Sequence, residues 1–304
     1  MHGLVRACDI FFVALASLMS ASLAIFGDSP KDEPPRYCTV FHHHVKSGGT
    51  AVKLQLMSAC KRTKSRLPES FTGLAGTTPQ MRLNTIHNGS VIVGFAERLR
   101  APLMASGRDC EYFTMMRHPI DRLISMFYYC PKDHDIQLRP PKFCADAVGQ
   151  TQSVKDRLME FARKHWGNRA YRSMLDAVFC NPMFELCDHE HARASSLRPN
   201  NIDTAEGWQL QDVLKRVLST YVAVGIVEEF ELSMRLFDAK VTSPVHSWDP
   251  AYEANRANNS AEREELLSWA YTNVELHSVI SADMLLYDYA VAIFRQQTKD
   301  AQLV

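Results

Sequence analysis

The sequence predicts an α/β fold, with a central parallel sheet and helices on both its faces. Three observations carry that expectation. Four short runs rich in apolar, β-branched and aromatic residues recur along the chain, at 37–42, 90–95, 111–116 and 221–226. Helical segments follow or separate them, and such alternation builds a sheet buried on both faces. Glycines at 48–49 and Pro119 break the chain where a strand gives way to a helix.

The chain has 304 residues, enough for one large domain or two small ones. Its 34 Lys and Arg balance its 34 Asp and Glu. That neutrality argues against a nucleic-acid binder, so any anion site must be built locally. Ordinary globular composition excludes disorder, collagen and coiled coil as the main description.

Residues 10–26 (IFFVALASLMSASLAIF) carry no charge. As a helix they span about 25 Å, slightly short of a hydrocarbon core of about 30 Å. Residues 1–27 are read as a signal-anchor or a cleaved signal peptide, with Ser22-Leu23-Ala24 as a small-x-small cleavage site. Polar, Pro-rich residues 28–36 follow as a stem. Residues 37–304 form the folded domain, expected in the secretory lumen. Of eight cysteines, Cys8 precedes the apolar run and seven remain. Cys130 and Cys144 bracket a Pro-rich loop and are expected to pair; Cys180 and Cys187 bracket another short loop. Asn88-Gly89-Ser90 and Asn258-Asn259-Ser260 are glycosylation sequons.

Along the domain, 37–42 is the first strand and 50–62 a helix. Residues 64–82 are irregular, and 90–95 (SVIVGF) is the second strand. The third strand, 111–116, leads into a helix at 120–129. Residues 154–166 and 210–220 read as helices, 221–226 (YVAVGI) as the fourth strand, and 228–239 as the next helix. Residues 261–296 are helical in two pieces.

Chemistry concentrates at two strand-to-helix corners. The first reads Phe41-His42-His43-His44-Val45-Lys46-Ser47-Gly48-Gly49-Thr50-Ala51. Glycines let backbone N–H groups close around an anion, and the helix N-terminus adds a positive dipole end. Lys46 adds a point charge, and Ser47 and Thr50 add hydroxyl donors. An ATP or GTP P-loop requires Lys after the glycines, in G-x-x-x-x-G-K-[ST]; here Lys46 precedes them. The second corner is Arg117-His118-Pro119-Ile120-Asp121-Arg122-Leu123-Ile124-Ser125. Arg117 ends a strand, and its planar fork suits phosphate oxygens. Proline suits the first helical turn, and Ser125 lies one turn further. In open parallel sheets ligands bind at the carboxyl ends of strands, where both corners fall. The triple His42-His43-His44 invites a metal reading, but no third ligand joins the two that share a strand face, and no metal is expected.

The two corners together resemble the sulfotransferase superfamily, especially its Golgi carbohydrate branch. The first is similar to H-x-P-K-T-G/A-G-T-S, which wraps the 5′-phosphosulfate of 3′-phosphoadenosine-5′-phosphosulfate (PAPS). The second matches R-x-P-x-x-R-x-x-S, which grips the 3′-phosphate. The motifs stand 71 residues apart in the expected order. Val224-Gly225 with Glu228 and Phe230, and Leu286-Tyr287-Asp288-Tyr289-Ala290, add to the likeness, which covers 37–296. Val45, Ser47 and Ala51 depart mildly from the usual Pro, Thr and Ser.

The resemblance implies a P-loop-like three-layer sandwich in a single-pass type II Golgi membrane protein. It implies PAPS as donor, bound by Lys46, Ser47, Gly48, Gly49, Thr50, Ala51, Arg117 and Ser125, and a carbohydrate or glycoconjugate acceptor. An acceptor hydroxyl or amine attacks sulfur in line while Lys46 stabilises charge on the leaving oxygen. Relatives resembling uronyl 2-O-sulfotransferases carry Gly-His before the second motif, with His as base. This chain has Gly94-Phe95, so Glu97 is the first candidate for the base and His87 the second. The competing readings are a small-molecule or protein sulfotransferase, a non-catalytic binder of the same fold, and a P-loop kinase.

Overall fold

A computed structural model describes residues 37–62, 69–70, 91–94, 109–130, 144, 153–181, 186–187, 205–241 and 260–304. Strands β1 (Tyr37–His42), β2 (Glu69–Ser70), β3 (Val91–Gly94), β4 (Asp109–Met116) and β7 (Ala223–Ile226) form one sheet in the order β2-β3-β1-β4-β7. Every pairing in it is parallel. Two further strands, β5 (Cys180–Asn181) and β6 (Leu186–Cys187), make a separate antiparallel pair. The α/β class with an open parallel sheet therefore stands.

Successive strand residues point to opposite faces. Val40, Phe41, Phe113, Thr114, Met115 and all of β7 are buried, so the three best-described strands are covered on both sides. Register places Phe41 opposite Phe113, with ring centroids 5.1 Å apart, and Phe237 meets Phe113 edge-on at 4.9 Å. Cys38 lies opposite Cys110, and the two form a disulfide across β1 and β4. The Cys130–Cys144 disulfide read from the sequence is also present. The Cys38–Cys110 bridge was not expected, because sequence spacing does not say which strands are neighbours.

The helices are α1 (Gly49–Arg62), α2 (Pro119–Phe127), α3 (Val154–Phe161), α4 (Arg169–Phe179), α5 (Ala205–Ser219), α6 (Phe230–Lys240), α7 (Ala261–Thr272), α8 (Val274–Val279) and α9 (Ser281–Asp300). Where one helix was expected over 154–166, α3 passes into a π-helical segment (Ala162–Trp166). Helix α4, absent from the sequence reading, follows directly. The C-terminal region has three helices instead of two, because the Asn273 side chain accepts from Leu276 N at 2.8 Å and restarts the chain as α8.

Strand β7 is a sheet edge, and α9 caps it. Val224 N donates to Gln297 Oε1 at 2.9 Å, and Gln297 Nε2 donates to Val222 O at 3.3 Å. A side chain thus satisfies backbone groups that an open edge would expose.

Buried Arg122 of α2 pairs with buried Asp283 of α9. The other Asp283 oxygen accepts from Tyr171 N at 2.8 Å, in the first turn of α4, where a carboxylate also suits the helix dipole. One carboxylate thereby joins α2, α4 and α9. The second Arg of the Arg117–Ser125 motif is bound in this packing.

Candidate functional site: the β1 and β4 corners

The chain reverses its winding at β1. Connections after β1 lead to β2 and β3 on one side, and β4 and β7 lie on the other. The crevice between the C-terminal ends of β1 and β4 is therefore a topological switch point, where open α/β sheets bind ligands. Residues 43–48 leave from one side of it and Arg117-His118 from the other.

The 43–48 loop is shaped for an anion. Lys46 and Gly48 are left-handed, at φ 64° and 69°, with Ser47 between them at negative φ. Alternating hands are the backbone pattern of an anion nest, and here the Ser47 N–H donates within the loop, to the His44 carbonyl at 3.2 Å. For Lys46 this conformation costs of order 1–3 kcal/mol, strain that accumulates at working sites. The first N–H groups of α1 lack helical partners by geometry, and its first turn holds no acidic residue to occupy them. Gly49 is required on other grounds: a Cβ there would lie 1.8 Å from His43 Cδ2. Ser47 is buried, Ala51 is buried and Thr50 is exposed. Ser47 therefore faces inward, and Thr50 is the hydroxyl at the surface.

The Lys46 ammonium rests 4.0 Å from the centre of the Tyr129 ring, a cation–π contact that no local sequence pattern announces. Tyr129 immediately precedes disulfide-bonded Cys130. The Lys46 carbonyl accepts from Arg117 Nη1 at 3.3 Å, so the two corners touch directly.

Around Arg117 the site is mixed in charge. His118 N, at the start of α2, donates to Glu228 Oε1 at 2.9 Å, and the Tyr287 hydroxyl donates to Glu228 Oε2 at 2.9 Å. His118 lies between Tyr271, stacked at 4.9 Å, and Tyr287, edge-on at 5.2 Å. The Tyr271 hydroxyl donates to Asp121. Burial pulls the Arg117 pKa down, and the Asp121 and Glu228 carboxylates push it back up. Ser125 lies on the second turn of α2, half-buried. Glu228 and Tyr271 stand 110 and 153 residues from His118, beyond any local motif.

The three histidines do different things. His42 Nδ1 is hydrogen-bonded to the Tyr221 hydroxyl at 2.7 Å. His44 Nε2 lies 3.2 Å from the Met174 sulfur, and burial holds its pKa well below the ordinary value. His43 stacks on Phe41 with centroids 6.2 Å apart. Burial, then the charges of His42, Lys53 and Lys46, lower its pKa to about 4, so it is neutral near pH 7. Among the described residues no three His, Cys, Asp or Glu side chains gather to hold a metal ion.

Glu97 and His87, the two candidates for the base, lie outside the described residues, as does the 10–26 apolar run. Among the described residues no helix is long and apolar enough to cross a membrane. The chain matches no protein-family model and no curated protein.

Proposed function

We propose that the protein is a sulfotransferase that uses PAPS as donor and a carbohydrate hydroxyl or amine as acceptor. The observation that carries the reading is the direct junction of the Lys46 loop with Arg117 at the switch point, through Arg117 Nη1 and the Lys46 carbonyl. Two cationic side chains and a nest of backbone amides occupy the carboxyl ends of adjacent strands. A nucleotide with phosphates at both its 3′ and 5′ positions fits that spacing of roles better than one with a single phosphate chain. The sheet, covered on both faces, is read as the centre of a P-loop-like three-layer sandwich.

In this reading the amides of Gly48, Gly49, Thr50 and Ala51 hold the 5′-phosphosulfate, Ser47 shapes the turn that presents them through its own N–H to the His44 carbonyl at 3.2 Å, and Arg117 with Ser125 holds the 3′-phosphate. When bound, PAPS supplies an activated sulfuryl group. Lys46 leaves the Tyr129 ring and balances negative charge on the oxygen that departs from sulfur. Glu97 takes the proton of the acceptor hydroxyl as its oxygen bonds to sulfur. The Golgi lumen, with the 10–26 run as a type II membrane anchor, is the compartment that goes with a glycan acceptor.

The test is transfer of labelled sulfuryl from PAPS to a pool of glycan acceptors by the full chain. The expected result is labelled glycan and 3′,5′-adenosine bisphosphate in equal amounts. Lys46→Ala is expected to cut turnover at least 100-fold, the scale of losing one oxyanion contact. Glu97→Gln is expected to cut it by about 10²–10⁴, the range for a general base. Full activity in Lys46→Ala contradicts the assignment.

A further inference from the structure

Helix α7 carries a charge where its packing calls for an apolar side chain. Its buried residues are Arg263, Leu266 and Ala270, which fall on one helical stripe. Leu266 and Ala270 belong to the same apolar cluster as Ile120, Leu123 and Ile124 of α2. Arg263 takes the next place in that stripe and is only 8% exposed.

Burying an unpaired charge is costly, so an arginine in such a place normally has a carboxylate partner. Arg122, as deeply buried, has Asp283. Arg263 forms no ion pair among the described residues. Its Nε is shut off from solvent with no acceptor in reach. The adjacent Glu262 is committed elsewhere: its Oε1 accepts from the Tyr128 hydroxyl at 3.4 Å.

The charge that Arg263 does meet is another cation. Helix α7 runs antiparallel along α2, tied at both ends. The Tyr271 hydroxyl donates to Asp121 at the start of α2, and Tyr128 at its end meets Glu262. Ser125 lies between Asp121 and Tyr128 on the same stripe of α2, on the side toward α7. After burial and the Asp121 and Glu228 carboxylates, the Arg263 charge is the next influence on the Arg117 pKa, and it lowers it. Arg117 itself makes a long hydrogen bond, 3.3 Å to the Lys46 carbonyl. The two carboxylates are held by neutral donors, Glu228 by His118 N and the Tyr287 hydroxyl, Asp121 by the Tyr271 hydroxyl. Two arginine forks that repel one another are stabilised together by an anion that accepts from both, and a dianion does so better than a monoanion.

We propose that Arg263 is the second arginine of an anion site that it forms with Arg117 and Ser125, and that this site takes a phosphate monoester as its dianion. The identity of that phosphate as the 3′-phosphate of a nucleotide rests on the transferase reading. The pairing of the two arginines does not. Arg263 stands outside both corner motifs, on a helix that only packing brings to α2.

The experiment is titration calorimetry of the full chain with 3′,5′-adenosine bisphosphate, adenosine 5′-phosphate and inorganic phosphate, paired with thermal unfolding of the ligand-free protein. Arg263→Met is expected to weaken bisphosphate binding at least tenfold, the scale of one charge-assisted hydrogen bond. Affinity for adenosine 5′-phosphate is expected to stay within about twofold, and Arg263→Lys to keep part of the bisphosphate affinity. The same Arg263→Met is expected to hold or raise the Tm, because methionine continues the apolar stripe and removes an unpaired buried charge. An arginine with a structural role alone gives the opposite pair of results, a lower Tm with binding intact. Arg235→Gln, an exposed cation of α6, is expected to change neither. A lower Tm in Arg263→Met, a bisphosphate loss below tenfold, or an equal loss in Arg235→Gln overturns the proposal. The probes also separate the two readings. Bisphosphate binding that Arg263→Met leaves unchanged overturns the Arg263 assignment alone. Inorganic phosphate binding that depends on Arg263, with the bisphosphate bound no tighter, supports the site and overturns the sulfotransferase reading. Binding of neither overturns both.

Discussion

At Gly49 there is room for a hydrogen and nothing more, because the His43 ring lies where a methyl would go. Gly49→Ala is expected to displace that ring and destabilise the protein by about 1–3 kcal/mol, the usual cost of overpacking. Equilibrium denaturation checks it. His43 also sets a pH dependence. Its folded pKa of about 4 is below the ordinary 6.5, so the unfolded chain binds the extra proton first. Its contribution is fully present above about pH 6.5 and is lost as pH falls toward 4. The full loss is of order 3 kcal/mol. Denaturation at pH 7.5 and pH 4.5 should show it, with a smaller difference in His43→Gln. Glu228 holds the start of α2, yet it places a negative charge where a 3′-phosphate would come. Glu228→Gln keeps an acceptor for His118 N and removes the charge. Bisphosphate binding is expected to tighten severalfold at low salt, as calorimetry can measure. Lys46 and Arg117 were legible in the sequence because each belongs to a local strand-to-helix pattern. Tyr129, Glu228 and Tyr271 were not, because only packing brings them to the motif residues.

Helix α4 shows how an element can be overlooked. Ala170, Tyr171, Met174 and Leu175 are all buried, and their spacing is helical, so the signal was in the sequence. Asn273, a helix cap, is not a strong breaker in sequence, so the pattern over 261–296 predicts two helices where the structure has three. The Cys38–Cys110 pairing depends on strand order, which no local pattern carries. Its 72-residue loop gives a chain-entropy estimate of about 4 kcal/mol. Cys38→Ser is expected to lose about 2–5 kcal/mol in denaturant melts without changing the secondary structure seen by circular dichroism. The Arg122–Asp283 pair should be as costly to break. Arg122→Met is expected to destabilise by about 3–5 kcal/mol because it leaves Asp283 buried and charged.

At the scale of the described fold, Lys46 and Arg117 meet at the carboxyl ends of β1 and β4, with the Glu228 and Asp121 carboxylates beside Arg117. Parallel pairing puts both loops at the same edge of the sheet, and the strand order opens a crevice between them. The α/β class and the two strand-to-helix corners are legible because strand-helix alternation and corner residues are local facts. The strand order is not, and it is the strand order that makes the corners neighbours. In the proposed function this crevice recognises a nucleotide by its 3′-phosphate. The most direct test is thermal unfolding of the full chain with 3′,5′-adenosine bisphosphate, adenosine 5′-phosphate and ATP with Mg²⁺. Ligand at about 100 times Kd stabilises by about 2.7 kcal/mol, a rise of several degrees in Tm. That rise is expected with the bisphosphate alone, and its loss in Arg117→Ala. An equal rise with adenosine 5′-phosphate, a larger one with ATP and Mg²⁺, or none with the bisphosphate would contradict it.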